Sequence, residues 1–169
     1  EAECRQMLST AYGLDGPSMV RYPRGGGTGK IPATNLDTLP VGKGEIRRQG
    51  KAVALLAFGS LLPAALAAGE EFDATVANMR FVKPLDVELI IALAGNHSLL
   101  VSIEENSVIG GAGSEIERAL AENGVNIPVL RLGLPDHFID HGEQGQLLAG
   151  LGLNKEGIVH RVRSRLNQQ

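Results

Sequence analysis

The sequence predicts an α/β fold, a three-layer sandwich around a mostly parallel sheet of about five strands, preceded by the tail of a second α/β domain. Three observations predict it. From about Gly42 onward, short apolar runs alternate with helix-periodic segments, and strands alternating with helices imply parallel strands joined by crossover helices. The runs Val53–Phe58 and Leu99–Ile103 carry no charge, as strands covered on both faces do. Before them, Pro23 to Pro40 is rich in glycine and proline and has little periodicity, the composition of a connection between domains. The boundary therefore falls there, with residues 1–40 as the end of one domain plus a linker and residues 41–169 as the other.

Taken in order, residues 1–12 read as the end of an amphipathic helix. No Ser, Thr, Asp or Asn caps its start, so the chain is expected to begin within an element, as a piece of a longer protein would. Leu14–Pro17 reads as a turn and Ser18–Tyr22 as a strand. Gly44–Arg48 and Val53–Phe58 are expected to form a hairpin through Gln49-Gly50, giving the sheet its antiparallel member. A helix follows near Leu62–Ala68, a strand near Thr75–Asn78, a helix near Val87–Ala94 and a strand at Leu99–Ile103. Then come a helix at Gly113–Glu122, a strand at Val129–Leu132, and two outer helices at Gly145–Gly150 and Lys155–Leu166.

Composition narrows the function. The 169 residues are 43% hydrophobic and 21% charged, enough for about one domain with a packed core. A net charge of −3 with no Trp offers neither a basic footprint nor stacking faces, which argues against nucleic acid and for small-molecule or protein partners. Cys4 is the only cysteine, so the chain has no internal disulfide, and a reducing, cytoplasmic setting fits it. The uncharged stretch Ala52–Gly69 is long enough to suggest a membrane span, but Gly59, Ser60 and Pro63 break it into strand, turn and helix.

Three constellations could carry chemistry. In Arg21-Tyr22-Pro23-Arg24-Gly25-Gly26-Gly27, two guanidinium groups flank a glycine-rich loop, and arginine forks with close backbone amides suit a phosphate or carboxylate; the alternative is a linker with solvated arginines. Glu104 and Glu105 end a strand before Gly110-Gly111-Ala112-Gly113, a loop that opens a helix. Adjacent strand residues point to opposite faces, so the two carboxylates cannot work as one acid/base pair, and a structural role or a reach across a domain contact is expected. His137 and His141, with Asp136 and Asp140, have a metal-like spacing, but Pro135 and Gly142 make the segment a loop with no third ligand evident. His97 and His160 stand alone. No residue is assigned a catalytic, cofactor-binding or metal-binding role on these grounds.

Taken together and in order, these segments carry a resemblance. Pro17 to Gly25, Phe81-Val82-Lys83-Pro84-Leu85-Asp86, Glu104-Glu105-Asn106 with Gly110 to Ser114, and Gly133-Leu134-Pro135-Asp136 with His141-Gly142 closely resemble the 1-deoxy-D-xylulose-5-phosphate synthase family of thiamine-diphosphate enzymes. Gly152-Leu153 and Gly157-Ile158 match as well. Transketolase and 2-oxoacid dehydrogenase β subunits share the domain order and are the competing families. A stand-alone interaction domain that has kept only the fold is the competing class.

The resemblance implies a homodimeric, cytoplasmic enzyme that joins pyruvate to D-glyceraldehyde 3-phosphate with loss of CO₂, using thiamine diphosphate and Mg²⁺. It implies that residues 1–40 end the domain that holds the cofactor's pyrimidine ring, and that residues 41–169 form the transketolase-type C-terminal domain. The family's metal and diphosphate motif lies upstream of the matched region, so the cofactors are not expected to bind this chain alone and the missing N-terminal domains are its partners. One site residue carries over: Arg24 matches the arginine that holds the acceptor's phosphate. Arg21 has no such match and is expected to be structural.

Overall fold

The computed structural model describes residues 1–23 and 34–168. Eleven elements order it: α1 (Ala2–Tyr12), β1 (Glu45–Arg48), β2 (Val53–Ala57), α2 (Leu62–Gly69), β3 (Thr75–Asn78), α3 (Val87–Ala94), β4 (Leu99–Ser107), α4 (Ala112–Glu122), β5 (Val129–Leu134), α5 (Gln144–Gly150) and α6 (Lys155–Leu166). The strands form one sheet in the order β1-β3-β2-β4-β5, parallel except for β1. The expected five-stranded, mostly parallel α/β sheet is present.

Period-two alternation sorts the side chains onto the two faces. Val53, Leu55 and Ala57 of β2 join Val101 and Ile103 of β4 beneath Ala65 of α2 and Ile158 and Val162 of α6. Ala54 and Leu56 point the other way, joining Leu100, Ala77 and Met79 beneath Ile90 of α3 and Ile116 and Leu120 of α4. All five residues of β2 are buried because both of its faces are covered. Each of its leucines contributes on the order of 1.5–3 kcal/mol by leaving water.

Two sequence expectations are corrected. β1 is antiparallel, as expected, but it pairs with β3 and not with β2, so Glu45 faces Asn78 and Ile46 faces Ala77. Both edges of β2 are taken by parallel neighbours, β3 and β4. The connection from β1 to β2 must therefore pass the start of β3, where the Lys51 amide donates to the Asp73 carbonyl and the Gly50 amide to Thr75 Oγ1. Four linking residues reach roughly 13 Å, which covers two strand spacings of about 4.8 Å. Gly50 fits there because a Cβ would lie 2.1 Å from the Asp73 carbonyl oxygen. The second correction is the strand expected at Ser18–Tyr22: that segment has no ladder partner among the described residues and takes no regular form.

The uncharged stretch 52–69 is β2, a short 3₁₀ turn and α2. Among the described residues no helix is long and apolar enough to cross a membrane.

Candidate functional site

The chain leaves β2 for β3 across one face through α2, then returns for β4 across the opposite face through α3. The strand order therefore reverses between β2 and β4, and the crevice outside their carboxyl ends is where an open parallel sheet of this kind receives ligands. Both glutamates and the glycine loop singled out in the sequence lie at this edge.

Glu104 is 3% exposed. Its Oε2 accepts the Ala112 amide and its Oε1 the Gly113 amide, both at 2.8 Å. The first turn of α4 presents unpaired N–H groups and the positive end of the helix dipole, a setting in which a carboxylate is stabilised. The anion position offered by this glycine loop is thus filled by the protein's own side chain. Gly111 is required for it, since a Cβ there would lie 2.5 Å from Glu104 Oε2 and 2.2 Å from the Ser107 carbonyl oxygen.

Glu105 points to the other face, as strand geometry requires. Its carboxylate accepts Ser60 Oγ at 2.6 Å and Gln144 Nε2 at 2.9 Å, tying the ends of β2 and β4 to the start of α5. Its carbonyl oxygen accepts Arg21 Nη2 at 3.1 Å, which lays the segment before residue 24 against the end of β4. Arg24 and the glycines that follow it lie outside the described residues.

A second polar cluster sits at the carboxyl end of β3, where no sequence motif signals one. Asn78, 1% exposed, donates through Nδ2 to both carboxylate oxygens of Glu3, at 2.8 and 3.0 Å. Arg80 donates from Nε to Glu3 at 2.8 Å and from Nη2 to the Glu45 carboxylate. Its backbone takes φ +57°, a left-handed conformation rare for a side chain of this size and unfavourable by about 1–2 kcal/mol. Such a cost is sustained where surrounding contacts fix the residue, as these do. Only the burial of an Asn at a strand end could have pointed here, and that is not readable without the fold.

Asp86 and the Gly152/Gly157 pair have structural partners. Asp86 caps α3 through the Leu89 amide at 3.2 Å and accepts the Gly44 amide at 2.9 Å. Gly152 and Gly157 pack backbone to backbone, leaving 2.3 Å between a Cβ on Gly157 and the Gly152 Cα. His137 and His141 are exposed in the irregular loop before α5, and His160 is exposed on α6. His97 Nδ1 lies 2.8 Å from the Leu93 carbonyl oxygen and its Nε2 2.8 Å from Thr75 Oγ1.

The described residues do not fit a metal–diphosphate cofactor. They contain no group of three or more His, Cys, Asp or Glu side chains placed to hold a metal ion, and the amides at the start of α4 are already taken by Glu104.

The doubly covered sheet with its reversal between β2 and β4 defines a doubly wound α/β domain. A family model, "Transketolase, C-terminal domain", matches residues 42–158, and the chain belongs to that family. Its curated relatives include 1-deoxy-D-xylulose-5-phosphate synthases. The chain is 79% identical over its whole length to the one from Dechloromonas aromatica (strain RCB), covering 27% of that protein. It is 63% identical over 94% of its length to the one from Azoarcus sp. (strain BH72), covering 26%. Against the solved structure titled "Split gene transketolase, inactive beta4 tetramer" the TM-score is 0.70 with 33% identity, over 77% of this chain and 44% of the other. The chain spans about a quarter of the length of the curated relatives it matches.

Proposed function

We propose that this chain is the C-terminal part of a 1-deoxy-D-xylulose-5-phosphate synthase, which condenses pyruvate with D-glyceraldehyde 3-phosphate and releases CO₂. The observation that carries this reading is the segment Arg21-Tyr22-Pro23-Arg24-Gly25 within a chain 79% identical from end to end to such a synthase. Thiamine diphosphate and Mg²⁺ are held by the upstream part of the polypeptide, and the enzyme works in the cytoplasm as a homodimer. Residues 1–40 close the pyrimidine-binding domain and residues 41–169 form the C-terminal domain.

In this reading Arg24 pairs the acceptor's phosphate, and residues 41–169 act as a brace that contributes no reacting group. What supports the brace is the occupation of the sheet's carboxyl edge by the chain's own side chains, Glu104 at α4 and Glu3 at β3. The isolated 169 residues are then inactive.

Arg24→Ala in the full-length enzyme tests the assignment. A charge-assisted contact is worth about 1.5–3 kcal/mol, so the KM for D-glyceraldehyde 3-phosphate should rise roughly 10- to 100-fold with the KM for pyruvate little changed. An unchanged acceptor KM with slower pyruvate decarboxylation refutes this role. Intact mass and an assay with both substrates, thiamine diphosphate and Mg²⁺ establish whether the catalytic protein is longer than this chain.

A further inference from the structure

His97 stands alone in the sequence, yet in the fold it joins three segments at the amino edge of the sheet. Its Nδ1 lies 2.8 Å from the Leu93 carbonyl oxygen in the last turn of α3, and its Nε2 lies 2.8 Å from Oγ1 of Thr75, the fully buried first residue of β3. The same Oγ1 lies 3.0 Å from the Gly50 amide nitrogen and 3.1 Å from the Gly50 carbonyl oxygen. Gly50 belongs to the connection that carries β1 past the start of β3 to β2.

Counting hydrogens fixes which group donates. A carbonyl oxygen only accepts, so Nδ1 carries a hydrogen in every state that keeps the Leu93 contact. The Thr75 hydroxyl has one hydrogen and two neighbours that could take it, the Gly50 carbonyl oxygen and an unprotonated Nε2. With the ring neutral, the hydrogen goes to Nε2, because the alternative sets two lone pairs face to face; the Gly50 carbonyl then loses its bond to Thr75. With the ring charged, Nε2 donates to Oγ1, and the hydroxyl turns to the Gly50 carbonyl. Proton uptake therefore adds one hydrogen bond and joins Thr75 to both polar groups of Gly50.

We propose that His97, Thr75 and Gly50 form a proton-operated clasp on the β1–β2 connection, closed when the imidazole is charged and half-open when it is neutral. The clasp acts on the edge of the sheet, since β1 pairs with β3 alone. Charged side chains at the clasp are Lys51 of the same connection, which lines a crevice with His97, and Arg48 and Asp73, paired with each other at 3.0 Å beside the start of β3. The negative end of the α3 dipole meets the ring through the Leu93 carbonyl.

Nitrogen NMR of the histidine rings reads the clasp directly, with His97→Gln assigning the signal among the chain's four histidines. At about pH 8.5, above the ordinary histidine range, His97 should be the Nδ1–H tautomer, which is the minor form of a free imidazole. At about pH 5 both nitrogens should carry hydrogen, and the Nε2–H should exchange slowly with water because its acceptor is buried. The extra bond is present below the histidine range and lost as pH rises through it. The melting temperatures of wild type and Thr75→Val should therefore differ by about 2–4 °C more at the lower pH, the effect of one further hydrogen bond in a chain of this size. Thr75→Ser keeps the hydroxyl and should keep the wild-type pH dependence. Should Thr75→Val fail to fold, the gap between wild type and His97→Gln is read in the same way. An Nε2–H tautomer at the higher pH overturns the hydrogen-bond assignment, and a gap equal at the two pH values overturns the clasp.

Discussion

Glu104 and Gly113, nine residues apart in the chain, meet at 2.8 Å, the buried carboxylate accepting the amide in the first turn of α4. Its other oxygen holds the Ala112 amide, so one side chain satisfies two donors that would otherwise be buried without partners. Glu104→Ala should destabilise the chain by about 2–4 kcal/mol, because two charge-assisted bonds are lost and two amides orphaned. Glu104→Gln should cost about half as much, since its amide oxygen still accepts one of the two. Urea unfolding measures both, and equal stability of wild type and Glu104→Ala would refute the assigned role.

Ser102 lies close to the same turn on β4 and is the opposite case. Its Oγ is buried and has no hydrogen-bond partner among the described residues, and a Cβ on Gly113 would come within 2.4 Å of it. Burying an unpaired hydroxyl is unfavourable, so Ser102→Ala should leave stability unchanged or raise it by up to about 1 kcal/mol. A loss larger than about 1 kcal/mol in the same urea experiment would mean that the hydroxyl is bonded after all.

The contrast between these two residues shows what a sequence can convey. Strand alternation alone puts Glu104 and Glu105 on opposite faces, and the uncharged runs locate β2 and the first half of β4. The partners are not legible, because hydrogen bonds between residues such as Glu3 and Asn78, 75 positions apart, depend on the strand order. The hairpin expectation fails for the same reason. Gln49-Gly50 is a good local turn signal, but which edge β1 joins is decided by β2, whose two neighbours are both parallel. The resemblance carried by the motifs, by contrast, requires no geometry, and the whole-chain matches agree with it.

The outer helix α6 is tied to the turn after α2 by Glu71, whose carboxylate accepts Lys155 Nζ at 2.7 Å with Arg163 at 3.7 Å. The Lys155 hydrogen bond and charge, helped by Arg163, hold the Glu71 carboxyl below its ordinary value near 4.5, and Glu71 in turn raises Lys155 above 10.5. A carboxyl depressed in the folded state binds its proton more readily once unfolded. The stability it contributes is therefore present above the ordinary carboxylate value and lost as pH falls through the folded one. The raised lysine acts at the other end: its contribution is present below 10.5 and lost as pH rises beyond the folded value. Both groups are largely solvated, so the effect is small and weakened by salt. Glu71→Gln should lower the melting temperature slightly at neutral pH, and the gap to wild type should narrow as pH falls below the ordinary carboxylate value of 4.5. A gap that persists undiminished in acid would mean that the substitution acts through packing and not through the ion pair.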